Sequence, residues 1–255
     1  MPNPDGTYIW YELLTTDPDA ASDFYTKVVG WTVRDAGMGG DMDYRLLAAP
    51  DIDIGGLMKL PQGAPMQPGW LGYVGVSDVD AKTKKVTELG GAVHMPPQDI
   101  PGVGRFSMVS DPQGVVFYLM RGDSEQASTA FKPTADGHCA WNELISRDHA
   151  AALDFYTKLF GWERGDAMPM GEMGDYRFIN HGGEMIGAAM DAPKDGPPPR
   201  WNYYFRVDSA EAAAERIRQN GGTVTFGPME VPGRDWALNG IDPQGASFGL
   251  VGRRR

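Results

Sequence analysis

Cysteine is almost absent from this chain of 255 residues, and Cys139 is the only one. No intrachain disulfide can form, so the fold must rest on its core, and a cytoplasmic home is expected. Cations are scarce: 23 Lys and Arg face 34 Asp and Glu, for a net charge of −11. That balance excludes nucleic acid as an expected partner, because phosphate binding needs clustered Lys and Arg. The one basic run, Arg253-Arg254-Arg255, reads as a solvated tail. No apolar run approaches the length of a membrane span, so no membrane partner is expected. The stretch Met1-Pro2-Asn3-Pro4-Asp5-Gly6 lacks the basic and apolar regions of a secretory signal. Histidine is rare too. His94, His138, His149 and His181 share no ligand spacing, and each reads as solvated or locally hydrogen-bonded.

What is present is a duplication. Asp23-Phe24-Tyr25-Thr26-Lys27 returns unchanged as Asp154-Phe155-Tyr156-Thr157-Lys158, 131 residues on. The same offset joins Trp10 to Trp141, Glu12 to Glu143, Trp70 to Trp201 and Gly90-Gly91 to Gly221-Gly222. It also joins Asp111-Pro112-Gln113-Gly114 to Asp242-Pro243-Gln244-Gly245. One offset held from end to end describes a doubled domain, not a short-period solenoid. The expected division is 1–122, a polar aperiodic linker at 123–137, and 138–255.

Local patterns supply the elements. Thr7 to Leu14 alternates as a strand, with Tyr8, Trp10 and Glu12 on one face. Asp17-Pro18 opens a helix that Gly30 stops. Strands follow at Tyr44–Ala48 and Ile54–Lys59. The second quarter repeats the plan: strand Trp70–Val76, helix Val79–Leu89, then strands at Ala92–Met95, Gly104–Ser110 and Val115–Met120. From His138 the plan runs again, with Asp148 capping its first helix and Ser209 or Asp208 its second. Gly37-Met38-Gly39-Gly40 and Gly102-Val103-Gly104 read as turns, not phosphate loops.

Trp-x-Glu-Leu, an Asp-capped helix, Phe-Tyr, an apolar pair before Gly-Trp, Gly-Gly, and Asp-Pro-Gln-Gly before a last apolar strand occur once per half. This order resembles the vicinal oxygen chelate superfamily, which includes glyoxalase I, bleomycin-resistance proteins and extradiol dioxygenases. The resemblance implies an α+β fold by tandem duplication. Each half would hold two βαβββ modules in a curved mixed β-sheet with helices on its convex face. Metal-dependent members carry His, Glu or Gln at inward positions of the first, fourth, fifth and eighth strands, suited to Zn, Ni, Mn or Fe. Here those positions hold Trp10 and Trp141, Gly55-Gly56-Leu57 and Ile186-Gly187-Ala188, Tyr73 and Tyr204, and Tyr118 and Gly249. No metal ligand and no cofactor are therefore expected.

Alternation aims Glu12 and Glu143 into the same cavities, where they are candidate acid–base residues. If merely structural, each would bond Arg or backbone N–H. Trp10, Tyr73, Tyr118, Trp141, Asn202, Tyr204 and Arg206 are the candidate ligand-binding residues, a mix of aromatics and a few polar groups typical of small-molecule pockets. The same aromatics are also what plain core filling would use. Arg206, whose counterpart is Gly75, is expected to pair with Glu143 or receive a ligand anion. Gly249, opposite Tyr118 in the repeat, is expected to leave the second cavity the more open. Tyr44-Arg45 and Tyr176-Arg177 recur as a weaker pair of candidates. The leading expectation is a metal-free protein that binds a small, partly aromatic or anionic molecule by sequestration or acid–base chemistry. The alternatives are a metal-dependent lyase, isomerase or dioxygenase of the same superfamily, and an assembly module without a ligand.

Overall fold

The computed structural model describes residues 3–37, 43–64, 66–194, 196 and 198–255. Four βαβββ modules follow one another. The first is β1 (Tyr8–Thr15), α1 (Pro18–Val28), β2 (Thr32–Asp35), β3 (Tyr44–Ala48) and β4 (Asp53–Lys59). The second is β5 (Gly69–Gly75), α2 (Val79–Glu88), β6 (Ala92–Ile100), β7 (Gly104–Ser110) and β8 (Val116–Gly122). The third is β9 (Cys139–Ser146), α3 (His149–Phe160), β10 (Glu163–Pro169), β11 (Asp175–His181) and β12 (Glu184–Asp191). The fourth is β13 (Arg200–Ser209), α4 (Ala210–Gln219), β14 (Thr223–Glu230), β15 (Trp236–Ile241) and β16 (Ser247–Arg253).

The strands form two eight-stranded mixed sheets, ordered β2-β3-β4-β1-β5-β8-β7-β6 and β10-β11-β12-β9-β13-β16-β15-β14. Within each module the first and last strands are parallel and the others antiparallel. The helix is what makes that parallel return possible, since two parallel strands need a long crossover. The two halves thus carry the expected duplicated α+β architecture.

Helix ends follow the sequence signals. Asp17, Asp78 and Asp148 each accept the N–H of the third residue on, and Ser209, not Asp208, does so for α4. Gly161 closes α3 at φ +75°, the left-handed region open to glycine. Strands β2 and β10, implied by the βαβββ resemblance, were not placed by the local pattern. β2 is four mostly exposed residues at a sheet edge, so burial imposes no alternation on it. The linker has no period for another reason: single bonds, not a ladder, hold it. Trp31 Nε1 donates to Gly137 O at 2.7 Å, and His138 bonds Thr129 O and Asp51 through its two ring nitrogens. The Gly102 turn is present, with φ +74°, whereas Met38, Gly39 and Gly40 lie outside the described residues.

Contacts divide the chain into two compact units, each drawing on both halves. One contains the N-terminal segment to Ile9, Gly72–Ser128 and Trp141–Trp201. Its core rings include Tyr8, Phe117, Tyr156, Trp162 and Trp201. Tyr8 therefore belongs to the core and not to the open face expected from alternation with Trp10. The other unit contains Trp10–Leu71, Thr129–Ala140 and Asn202–Arg255, and Tyr11, Tyr25, Trp31, Trp70, Phe205 and Phe248 pack there. Each fully buried aromatic of this kind contributes roughly 1.5–3 kcal/mol by removal from water. Among the described residues, no helix is long and apolar enough to cross a membrane.

Candidate functional site

The first site is built on β1, β4 and β3. The parallel register of β1 and β4 sets Glu12 level with Gly56, and β3 runs antiparallel beyond β4. Gly56 has no side chain, and the phenol of Tyr44 occupies the space. A Cβ there would sit 2.0 Å from the Tyr44 hydroxyl and 3.0 Å from Glu12 Oε2. The result is a relay: Trp10 Nε1 donates to Tyr44 Oη at 3.1 Å, and Tyr44 Oη donates to Glu12 Oε2 at 2.9 Å. Glu12 is 1% exposed. Its other oxygen, Oε1, is buried with no partner among the described residues. Burial pushes the Glu12 carboxyl up to about 8, against the pull of the Tyr44 and Trp10 bonds. At neutral pH it is mostly the protonated acid, able to donate through the unengaged oxygen, and it is poised to exchange a proton near physiological pH.

The second site repeats this on β9, β12 and β11. Glu143 is level with Ala188. Trp141 Nε1 donates to Tyr176 Oη at 2.7 Å, and Tyr176 Oη donates to Glu143 Oε2 at 3.0 Å. Ala188 replaces Gly56 at the equivalent register, yet the phenol–carboxyl bond forms. Each Glu thus accepts a hydrogen bond from a tyrosine, a partner that the structural alternative did not name. The signal was in the sequence as the recurring Tyr-Arg pair. Its useful member is the tyrosine; Arg45 turns away to Asp19, Asp43 and Ser22.

The remaining candidates divide. Tyr73 and Tyr118 lie level on β5 and β8 and stack on each other, with centroids 4.2 Å apart and planes 13° apart. Tyr204 lies across Gly249, where a Cβ would fall 2.4–2.7 Å from its ring atoms. Gly249 therefore does not open the second cavity, because the neighbouring tyrosine takes up the space. Arg206 is not the partner of Glu143. Its Nε donates to Pro133 O at 2.6 Å and its guanidinium forms an ion pair with Asp235. A guanidinium only 16% exposed has to be paired, and the carboxylate that pairs it comes from the residue just before β15. Asn202 Nδ2 donates to Asn239 Oδ1 at 3.1 Å, while Asn202 Oδ1 is buried with no partner among the described residues.

The residues do not fit the metal that the superfamily's enzymes use. Glu12 has a phenol and an indole beside it, and neither is a ligand of the His and carboxylate kind. Among the described residues, no three His, Cys, Asp or Glu side chains are grouped to hold an ion. The histidines sit apart: His94 bonds Ser110, His138 bonds Asp51, and His149 bonds Asp191.

Comparison with known proteins agrees with the fold. Residues 7–119 and 137–247 each match the Glyoxalase/Bleomycin resistance protein/Dioxygenase superfamily. A protein of Mycobacterium bovis named "Putative glyoxylase CFP32" is 36% identical over 251 residues, covering 96% of this chain and 94% of its own. The "Anthracycline biosynthesis protein DauV" of Streptomyces sp. strain C5 is 32% identical over 266 residues, covering 96% and 93%. Among solved structures, a variant of homoprotocatechuate 2,3-dioxygenase from B. fuscum superposes with a TM-score of 0.71 at 16% identity, covering 99% of this chain and 72% of that one. The Mn(II)-bound glyoxalase from Novosphingobium aromaticivorans gives 0.64 at 19% identity, covering 98% and 82%. These structures share the fold. By its two matched repeats and its full-length relatives, the chain belongs to the glyoxalase/bleomycin resistance protein/dioxygenase superfamily.

Proposed function

We propose that this chain is a cytoplasmic, metal-independent small-molecule-binding protein of two glyoxalase-like domains, 1–122 and 138–255, in which Glu12 meets the ligand. The observation that carries this reading is the unpartnered, buried Oε1 of a carboxyl that titrates near 8. A buried oxygen left without a bond costs stability, and such costs persist where function uses the group. Trp10 and Tyr44 supply flat, polarised surface next to it, which suits a planar, partly aromatic ligand. The relatives named "Anthracycline biosynthesis protein" are in keeping with an aromatic ligand. Protonated Glu12 donates to a ligand carbonyl oxygen through Oε1. Ionised, it accepts a proton from the ligand, while the Tyr44 bond steadies the charge on Oε2.

The second reading, an acid–base isomerase, is favoured by the same carboxyl and by the glyoxylase name of the mycobacterial relatives. One experiment tests the Glu12 site that both readings share. Chelator-treated protein is titrated with a panel of anthraquinones between pH 6 and 9, followed by tryptophan fluorescence. Affinity should change through about pH 8 and lose that dependence in Glu12→Gln. An unchanged profile in the variant, or binding that requires added metal, refutes the proposal.

A further inference from the structure

We propose that the hairpin joining β10 to β11 is a binding site for a soft monovalent metal ion, Cu(I), held by the thioethers of Met168, Met170 and Met173. The site does not rest on the Glu12 reading and uses none of its residues. It lies on the second and third strands of its half, outside the first, fourth, fifth and eighth strand positions at which the superfamily's enzymes hold their metals.

The run Met168-Pro169-Met170-Gly171-Glu172-Met173 covers the end of β10 and the 3-10 turn after it. Met168 pairs with Tyr176 and Pro169 with Asp175 across the hairpin. Met170 N donates to Gly174 O at 2.8 Å, which carries the pairing on to Met170. Strand alternation therefore turns Met168 and Met170 to one face. Met173 N donates to Met170 O at 3.3 Å and closes a turn in which side chains three apart eclipse each other. Met173 is thereby set over Met170. Two different periods thus bring three methionines to one side of the hairpin, and their unbranched, freely rotating arms let the sulfurs converge there.

Packing does not account for these residues. Methionine ordinarily fills cores, and turns ordinarily carry Gly, Asn, Asp or Ser. Here Met173 is 47% exposed, and Met168 and Met170 are half-buried. A thioether sulfur is a neutral, polarisable donor that selects Cu(I) over hard cations. Three neutral sulfurs leave the ion its full positive charge. Glu172 within the turn and the chain's net charge of −11 both favour a cation there. Sites built from thiols or imidazoles must lose protons before they load, so their affinity falls in acid. Thioethers carry no proton to lose, and this site should load equally well across the neutral range.

The test is an anaerobic titration of the whole protein with Cu(I) in competition with bicinchoninate, at about pH 6 and about pH 8. The wild type should take up one Cu(I) per chain with the same affinity at both values. Met170→Leu and Met173→Leu nearly conserve volume, so the fold should stand, and each should weaken binding roughly tenfold or more. The double variant should lose it. Met185→Leu, at an equally exposed methionine outside the hairpin, should keep it, and so should Cys139→Ala and Glu12→Gln. A wild type that holds no Cu(I) against bicinchoninate overturns the inference. So does loading that survives in the double variant, or an affinity that falls at about pH 6, the mark of thiol or imidazole ligands.

Discussion

Replacing Glu12 with Gln keeps the shape, keeps an acceptor for Tyr44 and removes the titration. Its effect on stability can be worked from the burial. The carboxyl ionises near 4.5 in the unfolded chain and near 8 in the folded one. Between those values the native state holds a proton that the unfolded state has lost. Stability therefore falls as pH rises across that window, is fully retained below about 4.5, and changes no further above about 8. At about 1.4 kcal/mol per pH unit, the whole loss is roughly 5 kcal/mol, a large part of a domain's ordinary 5–15 kcal/mol. Urea unfolding of both proteins at intervals from pH 5 to pH 8.5 gives the two profiles. Asp111 and Asp242 are also pushed up by burial, but both proteins contain them, so they cancel in the difference. The variant should gain on the wild type steadily with pH, by several kcal/mol at the alkaline end. Parallel profiles would refute the reasoning, because they would mean that Glu12 is ionised and solvated in the folded protein.

Tyr44→Phe should cost about 1–2 kcal/mol at pH 6, measured by urea unfolding, because Glu12 Oε2 and Trp10 Nε1 both lose their shared partner. Gly187→Ala should be far more damaging than Gly56→Ala in thermal unfolding. A Cβ at 187 meets the backbone oxygen of Asn142 at 1.9 Å, whereas one at 56 meets the movable end of Tyr44, and Ala188 is already accepted at the matching register. Arg206→Met should lower stability by about 1–3 kcal/mol through the stranded Asp235 and Pro133 O, and should leave anthraquinone binding by the Glu12 site unchanged in a parallel titration.

The fold was legible because duplication doubles every weak signal. Asp-Pro at a helix start or Gly-Gly at its end says little once, but the same order at a constant offset identifies the architecture. Phase was legible wherever both faces of a strand are constrained, as in β13, where Tyr203 and Phe205 meet core rings while Tyr204 lies across Gly249 and Arg206 reaches Asp235. It failed at Tyr8, at the strand's start, where the ring joins Trp162 and Trp201. Partners were the least legible. Alternation says which face Arg206 shares but cannot say that Asp235, 29 residues later, reaches it first. It says that Gly249 lacks a side chain, but not that Tyr204 fills the gap. Tyr44 and Tyr176 were visible as a recurrence, but the strand register that brings each phenol to a glutamate is a property of the folded sheet.

Among the described residues an indole, a phenol and a carboxyl are joined four times, and the four differ in what the second carboxyl oxygen does. Trp70 donates to Tyr25, which donates to Asp242; Trp201 donates to Tyr156, which donates to Asp111. In both cases the other carboxyl oxygen is taken up by the turn that follows: Asp242 Oδ1 accepts from Gln244 and Ala246, and Asp111 Oδ1 from Gln113 and Val115. Each aspartate thus fixes a turn and ties a Phe-Tyr helix from one half to a turn of the other, with both of its oxygens used. Trp10, Tyr44 and Glu12 repeat the chemistry on the open face but stop one bond short. The sheet provides a donor for Oε2 and none for Oε1. A carboxyl serving only the fold gains nothing from that deficit, since a glutamine or an apolar side chain would remove it. The missing bond, more than the pKa or the aromatic neighbours, is the ground for the proposal that a ligand completes Glu12.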